Sequence, residues 1–425
     1  MKKIYMIIID GAADRPIAGL GYRTPLEFAR TPHLDRLAER GSQCLIDVIG
    51  DGICPESDSG AMALLSYDPI QHYTGRGPLE GLGAGFSSLG DPSISFRINF
   101  ASYNEARDVL DRRTARGLSD EELQQLVDAI RTNVDISDLG NATFELFAHR
   151  GYRGVVSFRS ELPLSGRVSN TDPEYRNEGP FSVPVTHTGS RPLPCVALSD
   201  EEGTRNAANL VNTFIERSAA ALRTHPVNAR RVANAELPAN ILIFRDGGDP
   251  PRALPPFRDR FGRSLEMFGQ IAAERGLAQL IGADFSYSRA ARGQEESEYL
   301  REAERAVVNS KAGVVFIHLK GPDEPGHDGD AEKKVAAIEA IDEHFVGPLL
   351  DSVEPSDMVV ATCDHATPCS LRIHSADKVP LAISGGGIAA DGQHYFGERF
   401  AAAGGLRVSR ATDLVPYLVA HADGA

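Results

Sequence analysis

The chain has 425 residues, 42% of them apolar and 24% charged, with a formal net charge of −15; this is the profile of a globular protein large enough for two or three domains. That acidity, with no basic domain to offset it, argues against general affinity for nucleic acid, and no stretch approaches the roughly 20 apolar residues of a membrane span. Any anionic substrate must therefore be drawn in by a local cluster of arginines or by metal ions.

The N-terminus sets Lys2 and Lys3 before an apolar run of about six residues that ends in Asp10. The run is too short for a secretory segment and lacks a small-residue cleavage site, so it reads as the first buried strand. Asp10-Gly11 follows it directly, and Pro55-Glu56-Ser57-Asp58-Ser59-Gly60 then places a serine between two acids. From about 93 to 241 the pattern changes. Strand-like pieces (95–100, 154–158), helical pieces (120–131, 204–222) and a long polar stretch over 172–194 suggest an inserted α+β unit. Pro250, Pro251, Pro255 and Pro256 mark a stiff connection back. The expected division is a discontinuous core, 1–92 with 250–425, around an insertion at 93–249, which would face the sheet edge and make the site a cleft that opens and shuts. Five scattered cysteines without a C-x-x-C pair fit a reduced, cytoplasmic compartment.

Beyond the insertion, residues 313–319, 358–362 and 379–384 read, like 5–9, as strands buried on both faces, the signature of a parallel sheet. Residues 332–350 place Val335, Ile338, Ile341, Phe345 and Leu349 on one side of an amphipathic helix. This is an α/β layout. The late strands lead into Asp323-Glu-Pro-Gly-His327, Asp364-His365 and His374, and open α/β sheets bind ligands at such strand ends. Mixed carboxylate and imidazole donors suit Mn²⁺, Zn²⁺, Mg²⁺ or Fe²⁺ better than Ca²⁺. With Asp10 these are six residues, enough for two ions, which could activate Ser57 and stabilise an in-line displacement at phosphorus. Singly, each has a plainer explanation: a turn at Asp10-Gly11, a helix cap at Ser57 or Asp364, a surface histidine at His374. Their joint placement at strand ends favours one reaction.

Asp10-Gly-Ala-Ala-Asp14-Arg15-Pro16, Thr31-Pro-His-Leu-Asp35-Arg-Leu, Tyr67-Asp-Pro69, Tyr73-Thr-Gly-Arg76-Gly-Pro78, Asp111-Arg-Arg113, Asp323-Glu-Pro-Gly-His-Asp-Gly-Asp330, Asp364-His-Ala-Thr-Pro368 and His374-Ser-Ala-Asp377 together resemble the archaeal-type, cofactor-independent phosphoglycerate mutases of the alkaline phosphatase superfamily, over nearly the whole chain. The resemblance implies an alkaline-phosphatase-like parallel-sheet core sandwiched by helices, with a smaller inserted α+β domain. It also implies two divalent metal ions, Mn²⁺ first, with Zn²⁺, Mg²⁺ or Fe²⁺ as alternatives. One would be held by Asp323, His327 and His374, the other by Asp10, Ser57, Asp364 and His365, so all seven positions are filled. In the family the serine takes the phosphoryl group from a phosphoglycerate, the glycerate re-orients, and the group returns to the other hydroxyl.

Such a mechanism must retain glycerate and exclude water, or the phosphoserine is hydrolysed. Guanidinium groups suit that clamp; the candidates are Arg112, Arg113, Arg116 and Arg245, with Arg150 and Arg159 behind them. Lys320 is expected near the transferring phosphate unless it pairs with Asp323 or Glu324, and Asp111 or Asp246 could act as general acid. One loop departs from the family pattern Pro-Gly-Ser-Asp-Thr-Ala-His: Glu56 replaces the glycine and Met62 removes an imidazole. Either Glu56 points outward and activity is intact, or the pocket is retuned for another phosphorylated or phosphonate acid. A metal-dependent phosphomonoesterase or phosphonate hydrolase is the alternative reading. The expected partner is a small phosphorylated acid, with no nucleic acid and no membrane; oligomeric state is left open.

Overall fold

The computed structural model describes residues 2–424 except 88–89, 91, 113–116, 150, 186–190, 289 and 291–293. The chain divides into two compact units, Met1–His72 with Ala253–Ala425, and Tyr73–Arg252. The outgoing boundary therefore precedes the Arg76–Ala84 helix, where the sequence suggested residue 92.

In the first unit, a seven-stranded sheet among the described residues runs in the order Asp284–Tyr287, Leu265–Gly269, Val314–Leu319, Ile4–Ile9, Met358–Thr362, Val379–Ser384, Ser42–Ile46. Ile4–Ile9 is central and parallel to both neighbours, pairing Ile9 with Leu319 and Ile8 with Thr362. All six of its residues are buried; a strand covered on both faces has no polar side to alternate. This register brings the chain after Ile9, Leu319 and Thr362 to one edge of the sheet.

Val379–Ser384 is a strand but not a parallel one: it is antiparallel to both Met358–Thr362 and Ser42–Ile46. A parallel return needs a crossover of a dozen or more residues, usually a helix. Residues 363–378 contain no helix and carry Asp364, His365 and His374 instead, so the chain folds straight back.

The expected 332–350 helix forms as Ala331–Ile341, a π-helical turn Asp342–Val346 and Gly347–Ser352. Its apolar stripe, Val335 to Leu349, is buried as anticipated. From the polar face, Lys334 reaches into the core with its Nζ donating to Asp14 Oδ2 (2.8 Å), Ala13 O (3.2 Å) and Thr367 O (2.8 Å). It thereby ties the loop after the first strand to the loop after Met358–Thr362.

The second unit is antiparallel. Ser93–Asn104 pairs with Val109–Asp111, Arg153–Arg159 and Ile241–Gly248, and Arg153–Arg159 with Thr143–His149. Helices Asp120–Asn133 and Glu202–Arg223 belong to it, and Phe96, Phe158, Phe214 and Phe244 pack ring against ring in its core. The polar stretch over 172–194 is not all loop: Tyr175–Glu178 and Phe181–Pro184 form a hairpin turning at Gly179-Pro180. Among the described residues no helix is long and apolar enough to cross a membrane.

Candidate active site

Ser57 is the first residue of the helix Ser57–Leu64, where unpaired backbone N–H groups and the helix dipole favour negative charge. The side chain is buried, and its Oγ donates to Asp10 Oδ1 at 3.1 Å and lies 3.4 Å from His365 Nε2. Asp364 Oδ1 accepts from the backbone N–H of Gly11 (3.0 Å) and of His365 (3.1 Å), which leaves Oδ2 facing His365 Nε2 at 3.2 Å. Asp10 and His365 thus flank the serine oxygen, and Asp364 stands behind His365.

Beside them, Asp323 Oδ1 lies 3.3 Å from His374 Nε2 and 3.5 Å from His327 Nε2, and the two imidazole nitrogens are 3.1 Å apart. The far ring nitrogens face carbonyls, His327 Nδ1 that of Arg372 (2.9 Å) and His374 Nδ1 that of Pro55 (3.1 Å). Backbone contacts of this type turn a ligating nitrogen toward its ion. Two overlapping groups, Asp323 with His365 and His374, and Asp10 with Asp364 and His365, each hold their donor atoms within 4.8 Å of one another. Such mixed donors fit a divalent transition ion, and Asp364 Oδ2, buried with the imidazole nitrogens of His318 (3.0 Å) and His365 (3.2 Å) as its close neighbours, fits an oxygen ligand of one. All seven residues expected at a metal centre are therefore close together.

The electrostatics favour charged groups despite burial. Burial opposes ionisation of Asp10, yet Lys320, His318 and His365 hold its carboxyl well below the usual range. Burial and Asp10 both push Asp323 up, but His374 and His365 bring it far below. Lys320 does not take the alternative ion pair with Asp323 or Glu324. Its Nζ sits 3.1 Å from Asp10 Oδ1 and 3.7 Å from Glu274 Oε1, and these carboxylates outweigh burial and raise its pKa.

Two further members, Glu274 and His318, escaped sequence reasoning. Both are fully buried, with His318 Nδ1 2.6 Å from Glu274 Oε1 and His318 Nε2 3.0 Å from Asp364 Oδ2. A lone histidine in an apolar strand and a lone glutamate in a helix carry no periodic signal.

Glu56 does not point outward. Its side chain is 18% exposed and Oε1 lies 3.7 Å from His374 Nδ1. Counted in register from Pro55, the histidine of the family pattern falls on Ala61 rather than Met62; both are buried in the helix.

The second unit gathers arginines of its own. Arg76 pairs with Glu80 (2.8 Å), Arg97 lies 3.9 Å from both Glu80 and Asp246, and Arg245 is 3.4 Å from Asp246 and stacks over Tyr175. Arg112 forks onto Asp172 and also meets Glu174. Burial, with Arg245 and Arg76 nearby, pushes Arg97 down to about 9, so a bound anion would relieve the crowding of positive charge. Asp246 adopts a left-handed backbone (φ 56°), strain of the kind that collects at functional sites. Arg97 and Arg76 were missed as candidates. Arg159 is exposed on its strand, Asp111 pairs with Ser102 at the sheet edge, and Arg113, Arg116 and Arg150 lie outside the described residues.

A serine at a helix start, set among carboxylates and imidazoles at the strand ends of a largely parallel sheet, is the arrangement of an α/β enzyme with its candidate site at the sheet edge. A model of the family described as 2,3-bisphosphoglycerate-independent phosphoglycerate mutase matches residues 38–228. The chain is 38% identical over 394 residues to the 2,3-bisphosphoglycerate-independent phosphoglycerate mutase of Aeropyrum pernix, covering 90% of each chain. It is 36% identical over 421 residues to the enzyme numbered 1 of that name in Archaeoglobus fulgidus, covering 97% of this chain and 96% of that one. Among solved structures, the PH0037 protein from Pyrococcus horikoshii superposes with a TM-score of 0.79 at 28% identity, covering 100% of this chain and 98% of that one. The cofactor-independent phosphoglycerate mutase from Thermoplasma acidophilum gives 0.62 at 27% identity, covering 99% and 100%. The chain belongs to the 2,3-bisphosphoglycerate-independent phosphoglycerate mutase family.

Proposed function

We propose that the protein is a metal-dependent phosphoglycerate mutase that interconverts 3-phosphoglycerate and 2-phosphoglycerate through a phosphoserine at Ser57. The observation that carries this is Ser57 Oγ, 3.1 Å from Asp10 Oδ1 and 3.4 Å from His365 Nε2, beside two Asp/His donor groups. Asp323, His327 and His374 would hold one divalent ion, and Asp10, Ser57, Asp364 and His365 the other, with Mn²⁺ the first choice. Bound there, such ions neutralise phosphate oxygens and favour the ionised hydroxyl.

The residues of the chain supply the rest. Asp10 and His365 fix the serine oxygen, and the start of its helix favours the negative charge that develops there. Ser57 Oγ attacks phosphorus, the bond to the glycerate oxygen breaks, and that oxygen takes up a proton. The other glycerate hydroxyl then attacks the phosphoserine, and Ser57 is released with its proton restored. Arg112 and Arg245, joined by Arg76 and Arg97, are the candidates for gripping the substrate's anionic groups, because a guanidinium fork matches carboxylate and phosphate bidentately. Lys320, next to Asp10, adds positive charge beside the serine.

The test is to offer 3-phosphoglycerate with Mn²⁺ and follow 2-phosphoglycerate and free phosphate over time. The parent should form 2-phosphoglycerate with little phosphate, and Ser57→Ala should abolish transfer while keeping the fold. Interconversion by Ser57→Ala at the parent rate would remove the serine from the mechanism; phosphate as the main product would make the enzyme a hydrolase.

A further inference from the structure

We propose that Glu274 and His318 act as a buried positioning pair that fixes the carboxylates of Asp364 and Asp10 for ion binding, an inference that rests on the metal reading above. His318 lies in the strand Val314–Leu319, paired with Ile8 of the central strand. Its Nε2 is 3.0 Å from Asp364 Oδ2 and 3.5 Å from Asp10 Oδ1. It therefore touches one carboxylate from each of the two loops that surround Ser57. Asp364 Oδ1 is already engaged by two backbone N–H groups, so His318 meets the oxygen left for an ion.

Glu274 holds the imidazole from behind. It lies in the first turn of the helix Ala272–Leu280, and its Oε2 accepts from the backbone N–H of Gln270 (2.6 Å) and Ile271 (3.0 Å). Its other oxygen, Oε1, faces His318 Nδ1 at 2.6 Å. The carboxylate fits only because residue 269 is glycine: a Cβ there would come within 2.3 Å of Glu274 Oε2. A line of close contacts thus runs from the backbone at the end of Leu265–Gly269 through Glu274 and His318 to Asp364, hydrogen-bonded at its backbone end and made of charge contacts at 2.6 and 3.0 Å beyond it.

Packing alone gives no reason for this pair. Burying two ionisable groups costs several kcal/mol per ion, and apolar residues of similar volume often replace such a pair at no loss of stability. What His318 and Glu274 add is orientation. Partners of this kind behind a metal ligand typically account for roughly 10- to 100-fold in affinity.

The experiment measures Mn²⁺ binding by equilibrium dialysis on the full-length parent, Glu274→Gln, His318→Gln and the double variant, alongside kcat, KM and thermal unfolding. Each single change should weaken Mn²⁺ binding roughly 10- to 100-fold and lower kcat at saturating Mn²⁺, with KM for 3-phosphoglycerate nearly unchanged. The double variant should bind no more weakly than the worse single one, because the two residues act in series. Variants that melt earlier yet bind Mn²⁺ like the parent would reduce the pair to a structural ion pair and overturn the proposal. Glu274→Gln, which keeps the side chain's size and one acceptor for the backbone N–H groups, carries the test should His318→Gln not fold. A parent that takes up neither Mn²⁺ nor Zn²⁺, Mg²⁺ or Fe²⁺ would sink the metal reading, and the pair's role with it.

Discussion

Gly60 sets how closely the Ser57 helix approaches the loop that carries Asp364, and replacing it by alanine should cost far more activity than stability. A Cβ at Gly60 would lie 2.6 Å from Asp364 O and 3.1 Å from Asp364 Cβ, where ordinary contact begins at 3.4 Å. The shortfall of about 0.8 Å is against backbone, which cannot rotate aside. Asp364 is anchored through Gly11 and His365, so the helix must yield, and it carries Ser57 one turn away. Misplacing a reacting group by 1 Å costs on the order of 100-fold, so kcat should fall roughly 30- to 100-fold. Stability should change little, since overpacking of about 1–3 kcal/mol is partly offset by up to about 1 kcal/mol from alanine's better helix propensity. Gly19→Ala, whose Cβ would meet nothing within 4 Å, serves as the control. Initial rates with 3-phosphoglycerate and thermal melts of both variants decide the matter. A Gly60→Ala kcat within twofold of the parent would show that the helix position does not govern the reaction.

Lys334→Met should destabilise the protein by about 3–5 kcal/mol, because it strands the Asp14 carboxylate and two carbonyls in the core; a loss under about 1 kcal/mol in denaturant unfolding would contradict that. Glu398 is pushed up to about 7, mainly by burial, and accepts from Asp14 N and Thr24 Oγ1. The native state therefore keeps a proton there that the unfolded chain releases near 4.5. The stability this contributes is complete below about pH 4.5 and lost as pH rises through about 7. Glu398→Gln should gain on the parent over that window, and a stability difference constant with pH would refute the assignment.

The sequence carried the central strands plainly, because a run such as Ile4–Ile9, apolar at every position, has no other economical place than the middle of a sheet. It carried strand direction poorly: Val379–Ser384 is as apolar as its parallel neighbours, and its orientation depends on a helix-free connection rather than on its own residues. The loops carrying the candidate ion-binding residues were legible since each follows a strand, and Asp323, His327 and His374 lie within 3.1–3.5 Å of one another. The buried neighbours of those residues were not. Glu274 comes from a distant helix, and Arg97 reads as one polar residue in a strand until folding sets it near Glu80 and Asp246. Lys334 looks like the solvated face of an amphipathic helix, yet its stem crosses the core to Asp14.

Charge explains why a cation-dependent centre suits this chain. Asp10, Asp323, Asp364, Glu274 and Glu56 gather five carboxylates around the serine, against Lys320 and an imidazole at His318. Burial and Lys320 oppose protonation of that imidazole, but Asp364 and Glu274 keep its pKa well above the usual range. With Lys320 and His318 counted as positive and the imidazoles of the proposed ion-binding residues as neutral, as ion binding requires, three negative charges remain in excess, and a phosphate dianion entering that field would be repelled. The two divalent ions proposed above would reverse the sign by one net charge. The phosphate should then be held less by bulk field than by directed contacts, from the backbone N–H groups at the start of the Ser57 helix. In a protein of net charge −15, those local donors and the proposed ions would be what draws in an anionic substrate.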